Sequence, residues 1–356
     1  MFIRDAKQLD ALKLKVMAPV AVMQVNTADH MVSLTNGDSV HYDRLLVASG
    51  SSPVLPDIKG IEGESVYTLR TLDDADRIAA KMDKVASAVV LGDGLVSITA
   101  AIALNSRGLR VSIAGIAPHI LATFLDEVSA QILQHKMSDL GINFHLGQSI
   151  TEITRDINGK GTRVTLTSGV TIDAGMVVVA AGVKPNIAFM KDAGVKTDIG
   201  LLVNKYMETG VPDIFAAGDA AQCQDIVRNQ PAWNPLWPNA VEQGRYAALN
   251  MSGHRKPYPG TTNMNSLNIA GIPVICVGIA NTVDPLHETH FLMKGKTQYE
   301  KLVFHDNRLI GFILLGNTEK AGVLTSLVVQ QRVSPTQKEK LLSGSYSYTG
   351  IAGIGT

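Results

Sequence analysis

The chain carries one pattern of alternating apolar and polar positions twice. Residues 20–50 contain three alternating segments joined by turns, followed by an apolar segment that ends at Gly50. Residues 149–182 repeat that order and end at Gly182. Period-two alternation predicts strands, and the polar-Gly pair before the third segment of each copy indicates a hairpin. The repetition therefore predicts a structural duplication.

A different pattern precedes the second copy. Residues 86–115 predict a strand, a glycine turn, a helix and a second strand, with Gly92 and Gly94 in the turn and Leu95 and Val96 at the helix start. Glycines at these places let the backbone turn tightly and approach a pyrophosphate, whose charge the helix N-terminus favours. We interpret this βαβ segment as a dinucleotide-binding unit. A tight turn without a ligand is the alternative.

Composition narrows the class of protein. The 356 residues, 46% hydrophobic, are enough for two or three domains. Thirty-two Lys and Arg balance thirty-two Asp and Glu, so we expect no nucleic-acid partner. Cys223 and Cys276 lack the spacing of a metal site or a redox disulfide, which fits a reduced, cytoplasmic setting. Residues 257–283 carry no charge, but Gly, Pro and Asn interrupt the segment, and we expect "IPVICVGIA" within it to be a buried strand, not a membrane span.

Five segments in this order resemble the pyridine nucleotide-disulfide oxidoreductase superfamily, and more narrowly its branch of NADH:rubredoxin, ferredoxin and nitrite-reductase-type flavoprotein reductases. These segments are "YDRLLVASGSSPVLPDIKG" at 42–60, "VVLGDGLVSITAA" at 89–101, "VVVAAGVKPN" at 177–186, "TGVPDIFAAGDAA" at 209–221 and "WPNAVEQGRYAALNMSG" at 237–253. The resemblance covers nearly the whole chain.

The resemblance implies an α/β fold in which a Rossmann-like NAD(P)-binding domain is inserted in an FAD-binding domain and is followed by a C-terminal α+β interface domain. The implied parts are residues 1–70 (FAD, first part), 71–188 (NAD(P)), 189–260 (FAD, second part) and 261–356 (interface). The implied cofactors are FAD and either NAD or NADP.

The resemblance also implies the flavin site. Its candidate residues are Ser49, Gly50, Gly218, Asp219, Trp237, Pro238 and Asn239. Asp219 would hydrogen-bond the ribitol, and the helix that starts at Trp237 would direct its N-terminus at the isoalloxazine ring, where a helix dipole stabilises negative charge. Alternatively, Asp219 caps a helix that begins near Ala220. For the nicotinamide nucleotide, the candidates are Gly92, Gly94, Leu95, Val96 and Gly182.

Several positions depart from the family pattern. The first glycine of the chain is Gly37, so we expect the family's first FAD-binding βαβ unit to be missing. Gly115 ends the second strand of the βαβ unit, where an acidic residue for the ribose hydroxyls is expected, and residues 116–119 offer no arginine for a 2′-phosphate. Thr99 replaces the usual Glu of the family. The choice between NAD and NADP is therefore left open.

Two functional hypotheses follow. The first is an FAD-dependent NAD(P)H oxidoreductase that passes electrons through flavin to a small redox protein or another acceptor, without a redox-active disulfide. We expect it to act as a homo-oligomer or as a subunit of a complex, with no metal site and no assigned catalytic side chain. The second is a non-catalytic or partner-dependent scaffold that retains the fold with a degenerate nucleotide site.

Overall fold

The structure is a computed structural model that describes residues 6–155, 161–330 and 333–343. It divides into two compact units. The first unit contains the residues up to Gly50, Pro185–Cys223 and Ala240–Tyr258. The second unit contains Ser51–Lys184, Gln224–Asn239 and the residues from Pro259 onward.

The described residues contain more strands than helices. The α-helices are α1 (Ala6–Ala11), α2 (Leu72–Met82), α3 (Leu95–Ser106), α4 (Glu127–Asp139), α5 (Trp237–Met251), α6 (Ala321–Gln330) and α7 (Pro335–Leu342), with 3-10 helices at Ala188–Met190 and Gly218–Ala220. The strands are β1 (Val22–Asn26), β2 (Met31–Leu34), β3 (Ser39–His41), β4 (Leu45–Val47), β5 (Ser51–Pro53), β6 (Val66–Thr68), β7 (Ser87–Leu91), β8 (Arg110–Gly115), β9 (Asn143–Leu146), β10 (Ile150–Arg155), β11 (Thr162–Leu166), β12 (Thr171–Ala174), β13 (Met176–Val179), β14 (Val183–Pro185), β15 (Leu201–Leu202), β16 (Ile214–Ala216), β17 (Ala221–Asp225), β18 (Gln230–Ala232), β19 (Met264–Ile269), β20 (Ile272–Gly278), β21 (Glu288–Lys294), β22 (Gln298–His305) and β23 (Arg308–Leu315).

The predicted duplication is confirmed. The strands β1-β2-β3 form one three-stranded antiparallel sheet, and β10-β11-β12 form another. The register of the first strand pair shifts between Val22 and Gln24 in one copy and between Ile150 and Glu152 in the other. A β-bulge at the same place in both copies is a feature that alternation alone does not impose. An apolar strand, β4 or β13, follows each sheet.

A parallel sheet forms the centre of the second unit, in the strand order β6-β13-β7-β8-β9. Helix α3 connects β7 to β8, and helix α4 lies between β8 and β9. Val89, Val90, Val177 and Val178 are fully buried. Such continuous apolar runs, unlike alternating ones, are typical of parallel strands that are covered on both faces. The predicted Rossmann-like βαβ unit is confirmed.

The C-terminal part of the second unit is an antiparallel sheet in the order β19-β20-β23-β22-β21. Its central hairpin turns at Asp306 and Asn307, whose φ angles of 47° and 59° suit these two residue types. Side chains of this sheet, among them Val274 and Ile313, share one buried apolar cluster with Val90 of the parallel sheet. The two sheets of the second unit are thus packed through a common core.

A largely buried ionic group connects the start of α4 to the antiparallel sheet. Asp126 caps α4 by accepting a hydrogen bond from the backbone N–H of Ser129 at 3.0 Å. Its Oδ2 atom accepts a hydrogen bond from the Tyr299 hydroxyl at 2.6 Å and lies 3.0 Å from Nζ of Lys301, a residue that is only 7% exposed. Burial acts to raise the pKa of the Asp126 carboxyl, but the hydrogen bonds from Ser129, Tyr299 and Lys301 outweigh it and lower the pKa. Burial, followed by Asp126, raises the pKa of Tyr299.

Replacing Asp126 by Asn should destabilise the protein by about 3 kcal/mol at neutral pH, because the Lys301 ammonium is left buried without its counter-charge. The folded-state pKa of Asp126 is lowered. Its contribution is therefore fully present above the unfolded-state pKa of about 3.9 and is lost as the pH falls through the lower folded value. Urea unfolding of wild type and Asp126→Asn between pH 7 and pH 3 measures this.

The control is Asp126→Asn combined with Lys301→Met, which removes both charges and should recover part of the lost stability. A difference between wild type and Asp126→Asn that stays constant down to pH 3 would contradict this account of the ionic group.

Candidate functional site

The glycine turn after β7 is constrained by its backbone surroundings. Gly92 has a φ angle of 127°, and a Cβ atom there would lie 2.5 Å from the carbonyl oxygen of Ala180 and 2.5 Å from Oγ of Ser97. Its N–H donates to the carbonyl of Ala114 at 2.8 Å. Both the backbone angle and the lack of space require glycine at this position.

The N-terminus of α3 follows this turn and is open. Gly94 is the N-cap residue with φ −87° and ψ −173°, and no side chain in the described part of the chain caps the helix. A Cβ atom on Gly94 would meet no described atom within 4 Å. The N–H groups of the first turn, at Leu95 and Val96, therefore keep their donors for an external acceptor. This donor set and the space in front of it fit a pyrophosphate.

Gly182 lies at the same edge of the parallel sheet. Strands β7 and β13 are parallel neighbours with Leu91 opposite Val179, so Gly92 and Gly182 both follow the carboxyl ends of adjacent strands. Gly182 has a φ angle of 115°, and its carbonyl accepts a hydrogen bond from the N–H of Val54 at 2.9 Å. The structure thus brings the predicted nicotinamide-nucleotide residues together where open α/β sheets bind ligands.

An acidic side chain lies at the end of β8, although Gly115 is the last residue of that strand. A Cβ atom on Gly115 would lie 2.6 Å from Oδ2 of Asp93, the residue between the two turn glycines. The same oxygen accepts a hydrogen bond from the N–H of Ala117 at 2.9 Å. Sequence reasoning missed Asp93. Its only signal was the position of an acid inside the glycine turn.

The first unit repeats this arrangement with another strand pair. Strands β4 and β16 are parallel neighbours. Ser49 and Gly50 follow β4, and Gly218 and Asp219 follow β16, so four predicted flavin-site residues lie at one sheet edge. Gly50 and Gly218 have φ angles of 69° and 70°. Ser49 donates from Oγ to the carbonyl of Asn186 at 2.6 Å, and Nδ2 of Asn186 donates back to the carbonyl of Ser49 at 3.1 Å.

Gln243 of α5 fixes the turn at Gly218. This side chain is 3% exposed, and its Oε1 atom accepts a hydrogen bond from the N–H of Gly218 at 2.8 Å. Its Nε2 atom donates to Sγ of Cys223 at 3.4 Å. Sequence reasoning also missed Gln243, whose signal would have been a polar residue on the buried face of a helix.

The alternative role of Asp219 as the cap of an α-helix is wrong. Asp219 lies in the three-residue 3-10 helix Gly218–Ala220, and strand β17 begins directly afterwards at Ala221. No α-helix starts at this place in the described chain, because the segment returns at once to extended backbone.

Helix α5 begins at Trp237, as predicted. Trp237 is 70% exposed, and Nδ2 of Asn239 donates to the carbonyls of Asn234 at 3.2 Å and Thr262 at 3.4 Å. Pro238 sits in the first turn, where the missing N–H costs no hydrogen bond. The structure assigns Trp237, Pro238 and Asn239 to the second unit and the other four flavin-site candidates to the first.

Among the described residues, no group of three or more His, Cys, Asp or Glu side chains could hold a metal ion. Cys223 and Cys276 are both buried and form no disulfide. Burial, and secondarily the charge of Asp126, raises the pKa of the Cys276 thiol, so this sulfur stays protonated at neutral pH. None of the described helices is long and apolar enough to cross a membrane.

Comparison with known protein families identifies the family of this chain. Residues 4–244 match the family described as pyridine nucleotide-disulphide oxidoreductase, and residues 264–332 match the rubredoxin NAD+ reductase C-terminal domain. The first match spans more than half of the chain. The chain therefore belongs to the pyridine nucleotide-disulfide oxidoreductase family, which confirms the resemblance, the fold class and FAD and NAD(P) as the cofactor classes of its family.

Individual relatives agree with this assignment. The chain is 32% identical over 320 residues to an assimilatory nitrate reductase electron transfer subunit of Bacillus subtilis, covering 89% of this chain and 40% of the relative. It is 30% identical to an NADH-dependent phenylglyoxylate dehydrogenase subunit epsilon of Aromatoleum evansii, covering 93% and 78%. A water-forming NADH oxidase structure from Lactobacillus brevis superposes with a TM-score of 0.88 at 20% identity, covering 97% and 85%. The chain spans about two fifths of the length of the first of these relatives.

The two turn glycines should respond differently to alanine. Gly92→Ala places a methyl group against the Ala180 carbonyl in a backbone conformation that alanine disfavours, and should cost about 2–3 kcal/mol of stability. Gly94→Ala meets open space at a favourable φ and should cost less than about 1 kcal/mol. Urea denaturation of the two variants beside wild type measures both values. Equal losses would show that the close approach at Gly92 does not constrain the turn.

Proposed function

We propose that the protein is an FAD-dependent NAD(P)H oxidoreductase that passes electrons from a nicotinamide cofactor through flavin to a small redox protein or another acceptor. The observation that carries this proposal is the pair of glycine-edged sites, one in each compact unit. In each unit, glycines with positive φ follow the carboxyl ends of two adjacent parallel strands. Family membership supports FAD and NAD(P) as the occupants.

In the second unit, Gly92 and Gly94 would let the backbone approach the pyrophosphate of the nicotinamide nucleotide, and the N–H groups of Leu95 and Val96 would bind it. Gly182 would keep the neighbouring strand end clear of side chains. The α3 dipole adds a favourable charge interaction of about 0.3–1 kcal/mol. These residues hold the nucleotide in place, and binding and orientation are the main tasks of the protein in hydride transfer.

In the first unit, Ser49, Gly50, Gly218 and Asp219 would bind the flavin nucleotide, with Asp219 as hydrogen-bond acceptor for hydroxyl groups. Bound flavin would supply the redox chemistry. At the start of α5, the N–H groups of Trp237 and Asn239 would act as donors, and Pro238 fits this first turn because it needs no N–H there. The positive end of the helix dipole would favour negative charge on an electron-rich ring. We assign no proton-transfer step to a side chain of this protein.

The domain parts of the proposal are the FAD-binding residues 1–70 and 189–260, the NAD(P)-binding residues 71–188 and the interface residues 261–356. The breaks of the first compact unit near Gly50 and Pro185 support an inserted NAD(P) domain. The separate match of residues 264–332 supports a distinct C-terminal part.

The same proposal includes the proteins with which this chain would interact. One relative is named as an electron transfer subunit and another as a subunit of a dehydrogenase. These names support a role as a subunit of a larger complex or as the donor to a separate acceptor protein, with a homo-oligomer as the alternative assembly. The balanced charge supports a partner other than nucleic acid. A cytoplasmic location fits nicotinamide chemistry.

Absorption spectroscopy tests the proposal. The purified chain, incubated with excess FAD and passed over a desalting column, should retain flavin absorption bands. These bands should bleach when NADH or NADPH is added without oxygen. Asp219→Ala should weaken FAD binding by roughly tenfold to a hundredfold, since it removes a charge-assisted acceptor worth about 1.5–3 kcal/mol.

The matched control is Asp192→Ala, which removes an exposed carboxylate of the same unit and should leave FAD binding unchanged. A folded protein that retains no flavin, alone or with its complex partners, would overturn the oxidoreductase proposal in favour of the scaffold hypothesis. Retained flavin that neither nucleotide bleaches would remove the nicotinamide half of the proposal.

A further inference from the structure

We infer that Asp93 selects NADH over NADPH, because its carboxylate lies at the end of β8 in place of the acidic side chain that Gly115 lacks. In βαβ dinucleotide sites the acid that binds the ribose hydroxyls ends the second strand. Here the acid is carried by the glycine turn instead. The inference rests on the proposed nicotinamide site and adds the nucleotide preference to it.

The positions of Asp93 and Gly115 are mutually exclusive for side chains. A Cβ atom on Gly115 would lie 2.6 Å from Oδ2, 2.7 Å from Cβ and 3.1 Å from Cγ of Asp93. The first two distances are below 3.0 Å, which real Cβ atoms essentially never show, so a side chain on residue 115 would displace Asp93. Glycine at 115 is thus the condition under which an aspartate can fold into this space. The acid is therefore carried by the turn at residue 93, and the strand end at residue 115 carries glycine.

Hydrogen bonds hold the Asp93 side chain and backbone in this position. Oδ2 accepts from the N–H of Ala117 at 2.9 Å, and the Asp93 carbonyl accepts from the N–H of Leu121 at 2.8 Å. Within the described chain, Oδ1 accepts no hydrogen bond. A half-buried carboxylate with one oxygen fixed and the other available can accept from a ribose hydroxyl.

The local charge argues against a 2′-phosphate. A phosphate monoester carries about 1.5–2 negative charges at neutral pH and would lie beside the Asp93 carboxylate. The residues that follow Gly115 are Ile116, Ala117, Pro118 and His119, so no Lys or Arg of this segment can offset the repulsion. Nδ1 of His119 is engaged with the carbonyl of Ile120 at 3.0 Å. Like charges that no Lys or Arg of this segment offsets disfavour NADPH.

Calorimetric titration of the full chain with NAD+ and with NADP+ tests the inference through binding alone. Wild type should bind NAD+ at least about tenfold more tightly than NADP+. Asp93→Asn keeps the shape and the Ala117 hydrogen bond but removes the charge, and should bring the two dissociation constants to within about threefold of each other. Asp76→Asn, an exposed carboxylate on α2, is the control and should change neither constant.

The exchange itself gives a second test. Gly115→Asp alone forces two side chains into one space and should weaken NAD+ binding, as should Asp93→Gly alone. The double variant Asp93→Gly with Gly115→Asp returns the acid to the strand end and should recover the NAD+ preference. Thermal unfolding of each variant shows which losses come from folding.

The outcomes separate the two levels of the proposal. If wild type binds NADP+ as tightly as NAD+, or if Asp93→Asn leaves their ratio unchanged, the inference is wrong while the nicotinamide site stands. If the folded wild type binds neither nucleotide, the proposed nicotinamide function fails and the inference fails with it.

Discussion

The close approach of Gly92 to the carbonyl of Ala180 is the constraint on which the second unit depends. It joins the carboxyl ends of β7 and β13, with 2.5 Å between that oxygen and the place a Cβ would take. The turn that results starts α3 with an uncapped N-terminus at the sheet edge, and α3 in turn leads to β8. A single added methyl group would displace the backbone that positions the uncapped N–H groups of the helix.

In the first unit, a different interaction fixes the turn that follows the strand ends. At the edge of β4 and β16 the turn is held by the buried amide of Gln243, which accepts from the N–H of Gly218. There, a side chain from a helix that is distant in sequence fixes the turn, as backbone crowding does in the second unit. The two units nevertheless share the three-stranded sheet with its bulge at equivalent positions. The duplication has therefore kept the support for the strand ends while the turns have diverged.

Much of the fold could be predicted from local patterns in the sequence. Alternation and turn glycines located the duplicated sheets and the βαβ unit, since each depends on neighbouring residues. The contacts made by Asp126, Gln243 and Asp93 were not foreseen. Asp126 pairs with Lys301 and Gln243 with Gly218 across long stretches of chain, and sequence spacing carries no information on such pairs. The α-helix that Asp219 was expected to cap as an alternative does not form, for a related reason. Strand β17 begins directly after this turn and pairs with β15, which keeps the backbone extended.

Gly115 shows that the end of a strand in the sequence and the space around it in the structure can differ. The strand end lacks an acid, but the Asp93 carboxylate lies beside it, because the direction of the Asp93 side chain follows from its place in a turn and not from its distance along the chain. Moving the acid into the turn has a physical consequence. The residue proposed to recognise the ribose lies directly before Gly94 and the N–H groups proposed to bind the pyrophosphate, and its side chain accepts a hydrogen bond from the N–H of Ala117. Ribose and pyrophosphate recognition would thus share one short backbone segment, so that a shift of the turn that weakens one would weaken the other.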